Sequence, residues 1–131
     1  MMKERERPVS ASGVMSDRAM TGLFSRAFAQ PLRLLGQTEA SLSSYAVFWC
    51  VAFNEGSTQV EVAKATGLSA KTVSRVISQL GETPEGRGWI KQSSDSRDRR
   101  VRRLTLSRKG NSVQKQMMRD LQQFNENLQG A

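Results

Sequence analysis

Residues 58–80 constrain the chain more than any other stretch. Thr58-Gln59-Val60-Glu61 is a capping box: the threonine hydroxyl can accept the amide three residues on, and the glutamate can reach back to the threonine N–H. Val60, Val62 and Ala63 follow as apolar contacts, and Gly67 can take the positive φ of a tight turn. Ser69 is then a cap for a second helix, with Val73, Val76, Ile77 and Leu80 on one side. Two short helices joined this way form a helix-turn-helix. The other side of the second helix shows Ala70, Lys71, Thr72, Ser74, Arg75 and Ser78. Small polar and basic side chains suit hydrogen bonding in a nucleic-acid groove, where bulky apolar ones do not. A plain αα-hairpin with a solvated face has the same pattern, so this segment alone speaks for architecture before task.

The flanking residues extend the reading. GETPEGRG, residues 81–88, is turn-rich, and Trp89-Ile90-Lys91-Gln92 reads as a short strand. SSDSRDRR is a polar turn, after which residues 101–106 alternate, with Leu104 and Leu106 on one face and Arg103 and Thr105 on the other. That is a second strand pairing back on the first. Ser107 caps a last helix whose apolar stripe is Val113, Met117, Leu121, Phe124 and Leu128. Upstream, residues 1–13 mix charge, Pro, Ser and Gly without periodicity and read as a disordered arm. A helix is predicted from a cap at Asp17, with Met20, Leu23, Phe24, Ala27 and Phe28 on one face. Pro31 either stops it near Ala29 or kinks it on its way to Gly36. Ser41 or Ser43 caps another helix running to about Asn54, whose apolar run YAVFWCVAF implies burial on most sides.

Charge narrows the partner. Twenty Lys and Arg against twelve Asp and Glu leave a net charge of +8, and fourteen of the twenty are arginine. Residues 95–109 alone hold seven basic and two acidic side chains. A small domain with such a footprint meets a polyanion, most often nucleic acid. Arginine also suits the focused negative potential of a narrow minor groove. Asp95 and Asp98 have a different job among these arginines: a carboxylate can hold a guanidinium in a bidentate pair and so stabilise the hairpin's shape.

Several classes are excluded. The chain has no histidine and one cysteine, which removes His-dependent catalysis, disulfides and multi-Cys metal sites. With no glycine-rich phosphate loop either, no catalytic set assembles; no enzyme activity, cofactor or metal is expected. Cys50 reads as a small buried hydrophobe, since nothing near it in sequence would lower its pKa. The longest apolar run, residues 45–53, is nine residues, whereas a membrane-spanning helix needs roughly 20. No signal-peptide h-region precedes it, so a soluble cytoplasmic chain without a membrane partner is expected.

Helix-turn-helix, strand, basic turn, strand and helix together make the winged-helix order. STQVEVAKATGLSAKTVSRVISQL, then GWI, DSRDRR and Leu106-Ser107-Arg108-Lys109-Gly110, resembles the MarR family of bacterial transcription regulators. The resemblance covers about residues 57–110. Ser107 stands where the family usually has threonine, and the turn between Leu80 and Gly88 is longer than usual. The resemblance implies a mainly α (α+β) fold. In it, helices over 17–54, a winged helix-turn-helix over 57–106 and a dimerisation helix over 107–131 form a single domain from residue 14. It implies a homodimeric, sequence-specific regulator of double-stranded DNA, with repression the expected sense. The recognition helix would present Ser69, Lys71, Thr72, Ser74, Arg75 and Ser78 to the major groove. Arg97, Arg99, Arg100 and Arg102 would be wing residues, with Arg97 nearest the tip, and Asp95 or Asp98 would pair with a wing arginine. Family members often take a small aromatic acid as effector, so such a ligand is a possible partner. Apart from the resemblance, the apolar stripes on the first and last helices need a surface to cover them; a second copy is the natural one, and packing of the two helices on each other within one monomer is the alternative. The alternative reading keeps the fold but makes it an architectural or replication module of a plasmid or phage, or a protein-interaction adaptor.

Overall fold

The structure is a computed structural model that describes residues 15–35 and 41–130. The arm predicted over residues 1–13 and the stop at Gly36 lie outside the described residues. The element order is α1 (Asp17–Leu35), α2 (Leu42–Phe53), α3 (Gln59–Thr66), α4 (Ala70–Leu80), β1 (Ile90–Ser94), β2 (Arg102–Leu106) and α5 (Arg108–Gly130). This is a mainly helical winged helix with a two-stranded antiparallel wing. The described residues fall into two compact units, one drawn from Met1–Glu39 and Lys115–Ala131, the other Ala40–Gln114.

In Ala40–Gln114 the caps form where their chemistry places them. Thr58 and Glu61 close both halves of the capping box, and Gly67 ends α3 in the left-handed region at φ 78°. Ser69 Oγ accepts the Thr72 N–H at 3.1 Å. Of the two candidate caps for α2, Ser41 is used: its Oγ accepts the Ser44 N–H at 3.1 Å. The core is Val47, Phe48 and Val51 of α2, Val62 of α3, Val73, Val76, Ile77 and Leu80 of α4, with Trp89, Ile90, Leu104 and Leu106 from the wing. Phe48 meets the Trp89 ring edge-on, 5.6 Å between centroids.

The burial on most sides expected of α2 is corrected. Only Ser44, Val47, Phe48 and Val51 are buried, while Phe53 is 87% exposed and Cys50 is half-buried. The apolar run is longer than the one face the core of this unit can cover. The first strand starts one residue later than expected and runs on to Ser94. Trp89 keeps one rung in register, its carbonyl accepting the Ser107 N–H (2.9 Å), but its own N–H is diverted from the partner strand to Leu80 O (2.7 Å). Val101 falls in the loop, its N–H donated to Asp98 O. The long turn after α4 is tied down by Gly88 N–H to Gly81 O (2.8 Å) and Arg87 N–H to Gln79 O (2.9 Å).

A third backbone segment joins the sheet without being visible in the residue pattern. Ser57 bridges Leu104 on the open edge of β2: Gly56 N–H donates to Leu104 O, and Leu104 N–H to Ser57 O. Glu55 Oε1 accepts the next outward amide, Leu106 N–H, at 2.6 Å. The exposed edge of the wing is thereby closed at its base.

In the other unit α1 runs through Pro31 to Leu35. Its cap is Ser16, whose Oγ accepts the Ala19 N–H at 3.1 Å, and the expected cap Asp17 becomes the first helical residue. Serine wins because its short hydroxyl reaches the amide three residues on, while Asp17 in the first turn still favours the helix dipole. Arg26 and Asp120 pair through two contacts, at 3.0 and 3.3 Å. Ala19 and Met117 are buried. Met15, Met20, Leu23, Phe24, Ala27, Met118 and Leu121 line an apolar groove of about 460 Å³. No helix of the described residues is long and apolar enough to cross a membrane.

Candidate nucleic-acid interface

Helix α4 divides its side chains cleanly. With Val73, Val76, Ile77 and Leu80 buried, the 3.6-residue repeat turns Ser69, Lys71, Ser74, Arg75 and Ser78 to solvent, with Thr72 half-buried. Lys71 and Arg75 make no ion pair with a described residue, so their charge is available to a partner. Ser69 and Thr72 are already engaged in part. Ser69 O–H donates to Thr72 Oγ1 at 3.0 Å while capping the helix, which leaves the Thr72 hydroxyl able to donate outward.

The wing is shaped by its two aspartates. Asp95 Oδ2 accepts the N–H groups of Arg97 and Asp98, each at 3.1 Å. Its Oδ1 accepts Arg103 Nε at 3.3 Å. Asp98 accepts the Arg100 N–H at 3.0 Å and takes the Arg100 guanidinium with both oxygens, at 3.1 and 3.2 Å. Both aspartates therefore pair with an arginine. The reverse turn runs from Asp98 to Val101, so its corners belong to Arg99 and Arg100, and Arg97 precedes it. Arg97, Arg99 and Arg102 are exposed and make no ion pair with a described residue; Arg100, though 91% exposed, is committed to Asp98.

Both carboxyls titrate low. Burial works against ionised Asp95, but the Arg97 N–H, the Arg103 guanidinium and the Asp98 N–H outweigh it and hold its pKa below the ordinary 3.8. For Asp98 the Arg100 guanidinium is the main cause, aided by the Arg100 N–H. A depressed carboxyl pKa contributes stability above the unfolded value that is lost as pH falls through the folded one. Wing amide protection should therefore hold at pH 5 and decline only below about pH 4, as amide exchange across a pH series would report; a loss beginning near pH 6 would contradict the assignment.

Two contributors escaped the residue pattern. Arg103, on the strand face opposite Leu104, was readable only as one basic residue among many. Its Nη1 donates to Gly56 O at 3.1 Å. Glu55, just past the predicted end of α2, is the acceptor for the Leu106 amide. The Ser107 substitution is understood as well: its Oγ donates to Gly88 O and accepts the Gly110 N–H, a role threonine's hydroxyl fills equally.

Arg87 lies over the Trp89 ring, 5.9 Å from its centroid, at the junction of turn and wing. No cluster of His, Cys, Asp and Glu among the described residues could hold a metal. The unit Ala40–Gln114 thus presents a polar and cationic helix face and a cationic hairpin on one scaffold.

No family model matches the sequence, and no curated protein matches it either. Solved structures do match the fold. A transcriptional regulator from Thermotoga maritima is 18% identical with a TM-score of 0.68, over 87% of this chain and 78% of that one. Streptococcus pneumoniae FabT, solved in complex with DNA, is 20% identical with a TM-score of 0.61, over 86% and 78%. Bordetella bronchiseptica BpsR, whose DNA binding is regulated by 6-hydroxynicotinic acid, is 22% identical with a TM-score of 0.56, over 85% and 76%. What they share with this chain is the winged-helix fold.

Proposed function

We propose that this winged-helix chain is a homodimeric, sequence-specific double-stranded-DNA-binding transcription regulator acting as a repressor. The carrying observation is the pairing, within one compact unit, of an exposed polar and cationic α4 face with a wing whose Arg97, Arg99 and Arg102 are uncommitted. Recognition-helix residues Lys71, Thr72, Ser74, Arg75 and Ser78 read the major groove, and the wing arginines enter the minor groove beside it. Ser69 serves chiefly as the cap that points the helix N-terminus. Asp95 and Asp98 shape the wing and repel phosphate less than their charge suggests, because each is neutralised by arginine. The likeness to DNA-bound FabT supports the DNA reading, and that to BpsR supports a small organic effector.

Dimerisation rests on the other unit. Met20 and Phe24 stay 42% and 57% exposed on α1, beside an apolar groove that α5 completes. Asn125, in the same groove, has a buried Oδ1 with no hydrogen-bond partner. A second copy laid on this face covers the apolar side chains and offers that oxygen a donor, which is also how a buried asparagine specifies register.

The test is selection from random duplex DNA at two salt concentrations, followed by sequencing of what is retained. A palindromic consensus with half-sites about one helical turn apart and a steep salt slope is expected. Salt-dependent retention without a consensus would sink the base-reading role and favour an architectural module. On the recovered operator, Arg75→Ala should cost about 1–3 kcal/mol and relax the preference at one position. An equal loss on all sequences would make Arg75 a phosphate contact instead.

A further inference from the structure

We propose that Arg103 is a positioning residue that sets the wing against the recognition helix by tying the wing loop to the α2–α3 turn; this rests on the DNA-binding reading above. The guanidinium, half-buried, reaches three separate pieces of chain. Nε donates to Asp95 Oδ1 at 3.3 Å, Nη1 donates to Gly56 O at 3.1 Å, and Nη1 lies 3.9 Å from Glu61 Oε1. Each of these three groups has a second role. Asp95 holds the amides of Arg97 and Asp98, so it defines the path of the loop that carries the exposed arginines. Gly56 N–H donates to Leu104 O, so it belongs to the base of the wing. Glu61 Oε1 accepts the Thr58 N–H at 2.9 Å, so it belongs to the cap that starts α3.

Arg103 therefore connects the loop that would enter one groove to the helix pair that would enter the next. Among the described wing arginines it is the one that hydrogen-bonds outside the hairpin. A planar guanidinium can serve a carboxylate and a carbonyl in two directions at once, whereas an ammonium on a flexible stem cannot hold both in a fixed geometry. The functional consequence follows from distance sensitivity: wing arginines contribute only when presented at the right separation from α4. Arg103 contributes through them, without needing to touch DNA.

The charges give the test its discrimination. Arg103→Lys preserves net charge, so a residue acting only as a cation near phosphate would be little affected. Asp95→Asn removes a negative charge, so electrostatics alone would tighten binding. The positioning role reverses both. On the operator recovered above, each variant should bind roughly 10-fold more weakly, with a salt slope lower by about one unit per wing. The consensus read by α4 should be unchanged. In an Arg97→Ala/Arg99→Ala background, Arg103→Lys should cost nothing further. Binding of Arg103→Lys at the wild-type level, tighter binding by Asp95→Asn, or additive losses in the combined variant would overturn the proposal. Amide exchange of the free protein provides an arm independent of DNA: Arg103→Lys should speed exchange both in residues 95–101 and in residues 56–61. Faster exchange in the loop alone would refute the link to the turn. If the wild-type chain retains no DNA while this exchange pattern appears, the functional reading fails and the clamp stands.

Discussion

Gly110→Ala is expected to destabilise the fold by about 3 kcal/mol, lowering the melting temperature by roughly 10 °C. Gly110 lies in the first turn of α5, and a Cβ there would sit 2.1 Å from Trp89 O and 3.0 Å from Trp89 C. Those atoms cannot yield easily, because Trp89 O accepts the Ser107 N–H and Trp89 N–H donates to Leu80 O. The methyl group must push apart the wing, the end of α4 and the start of α5 together. An isolated helix would respond in the opposite sense, since alanine is favoured over glycine in helices by roughly 0.5–1 kcal/mol. The sign of the change thus decides whether close approach is the reason for glycine. Gly67→Ala is the contrast: no atom lies within 4 Å of the new Cβ, but φ is +78°. That loss should be about 1 kcal/mol and purely conformational. Thermal melts of both variants beside wild type give the comparison; an unaltered or raised melting temperature for Gly110→Ala would remove the steric account.

Neutralising the uncommitted wing cations should have the largest effect on DNA. The triple variant Arg97→Ala/Arg99→Ala/Arg102→Ala is expected to lose on the order of 100-fold in affinity at ~0.1 M salt, and to lower the salt slope by about 2.7 units per wing. These arginines make no ion pair with a described residue, so removing them leaves no carboxylate stranded. Folding should be nearly unaffected, since exposed surface substitutions usually stay within about 0.5 kcal/mol. Titration of the operator across a salt series measures the slope directly. A slope equal to wild type would mean that the wing stays clear of the duplex, and the affinity would then have to come from α4 alone.

The winged-helix plan was legible because its signals are local. A capping box, a glycine turn and a serine cap each act within a few residues, so Thr58, Glu61, Gly67 and Ser69 could be assigned before any tertiary contact was known. The two faces of α4 follow from helical period, and the alternation at Leu104 and Leu106 from strand period. That Asp95 and Asp98 engage arginines could be argued from charge density. Which arginine each chooses could not, because six neighbours of similar chemistry compete and only the hairpin register brings Arg103 beside Asp95.

The misreadings have two causes, competition between local neighbours and claims made by distant ones. Ser16 and Asp17 are adjacent and both able to cap, and the first helical turn selects Ser16. The nine-residue apolar run of α2 suggested burial on most sides, yet a helix contributes to the core of its unit only the side that neighbouring elements cover. Trp89 looked like strand by composition, but its N–H is claimed by Leu80 O instead of the partner strand. Residue order by itself determined the helices, the caps of α3 and α4, the polar face of α4 and the charge of the hairpin, all legible from spacings of at most about four residues along a helix or two along a strand. Tertiary structure alone decided the tie from Arg103 to Gly56, the Glu55 contact to Leu106 and the close approach of Gly110 to Trp89. Each joins residues about 20 to 50 positions apart, where loop closure and packing choose the partner and no local preference can.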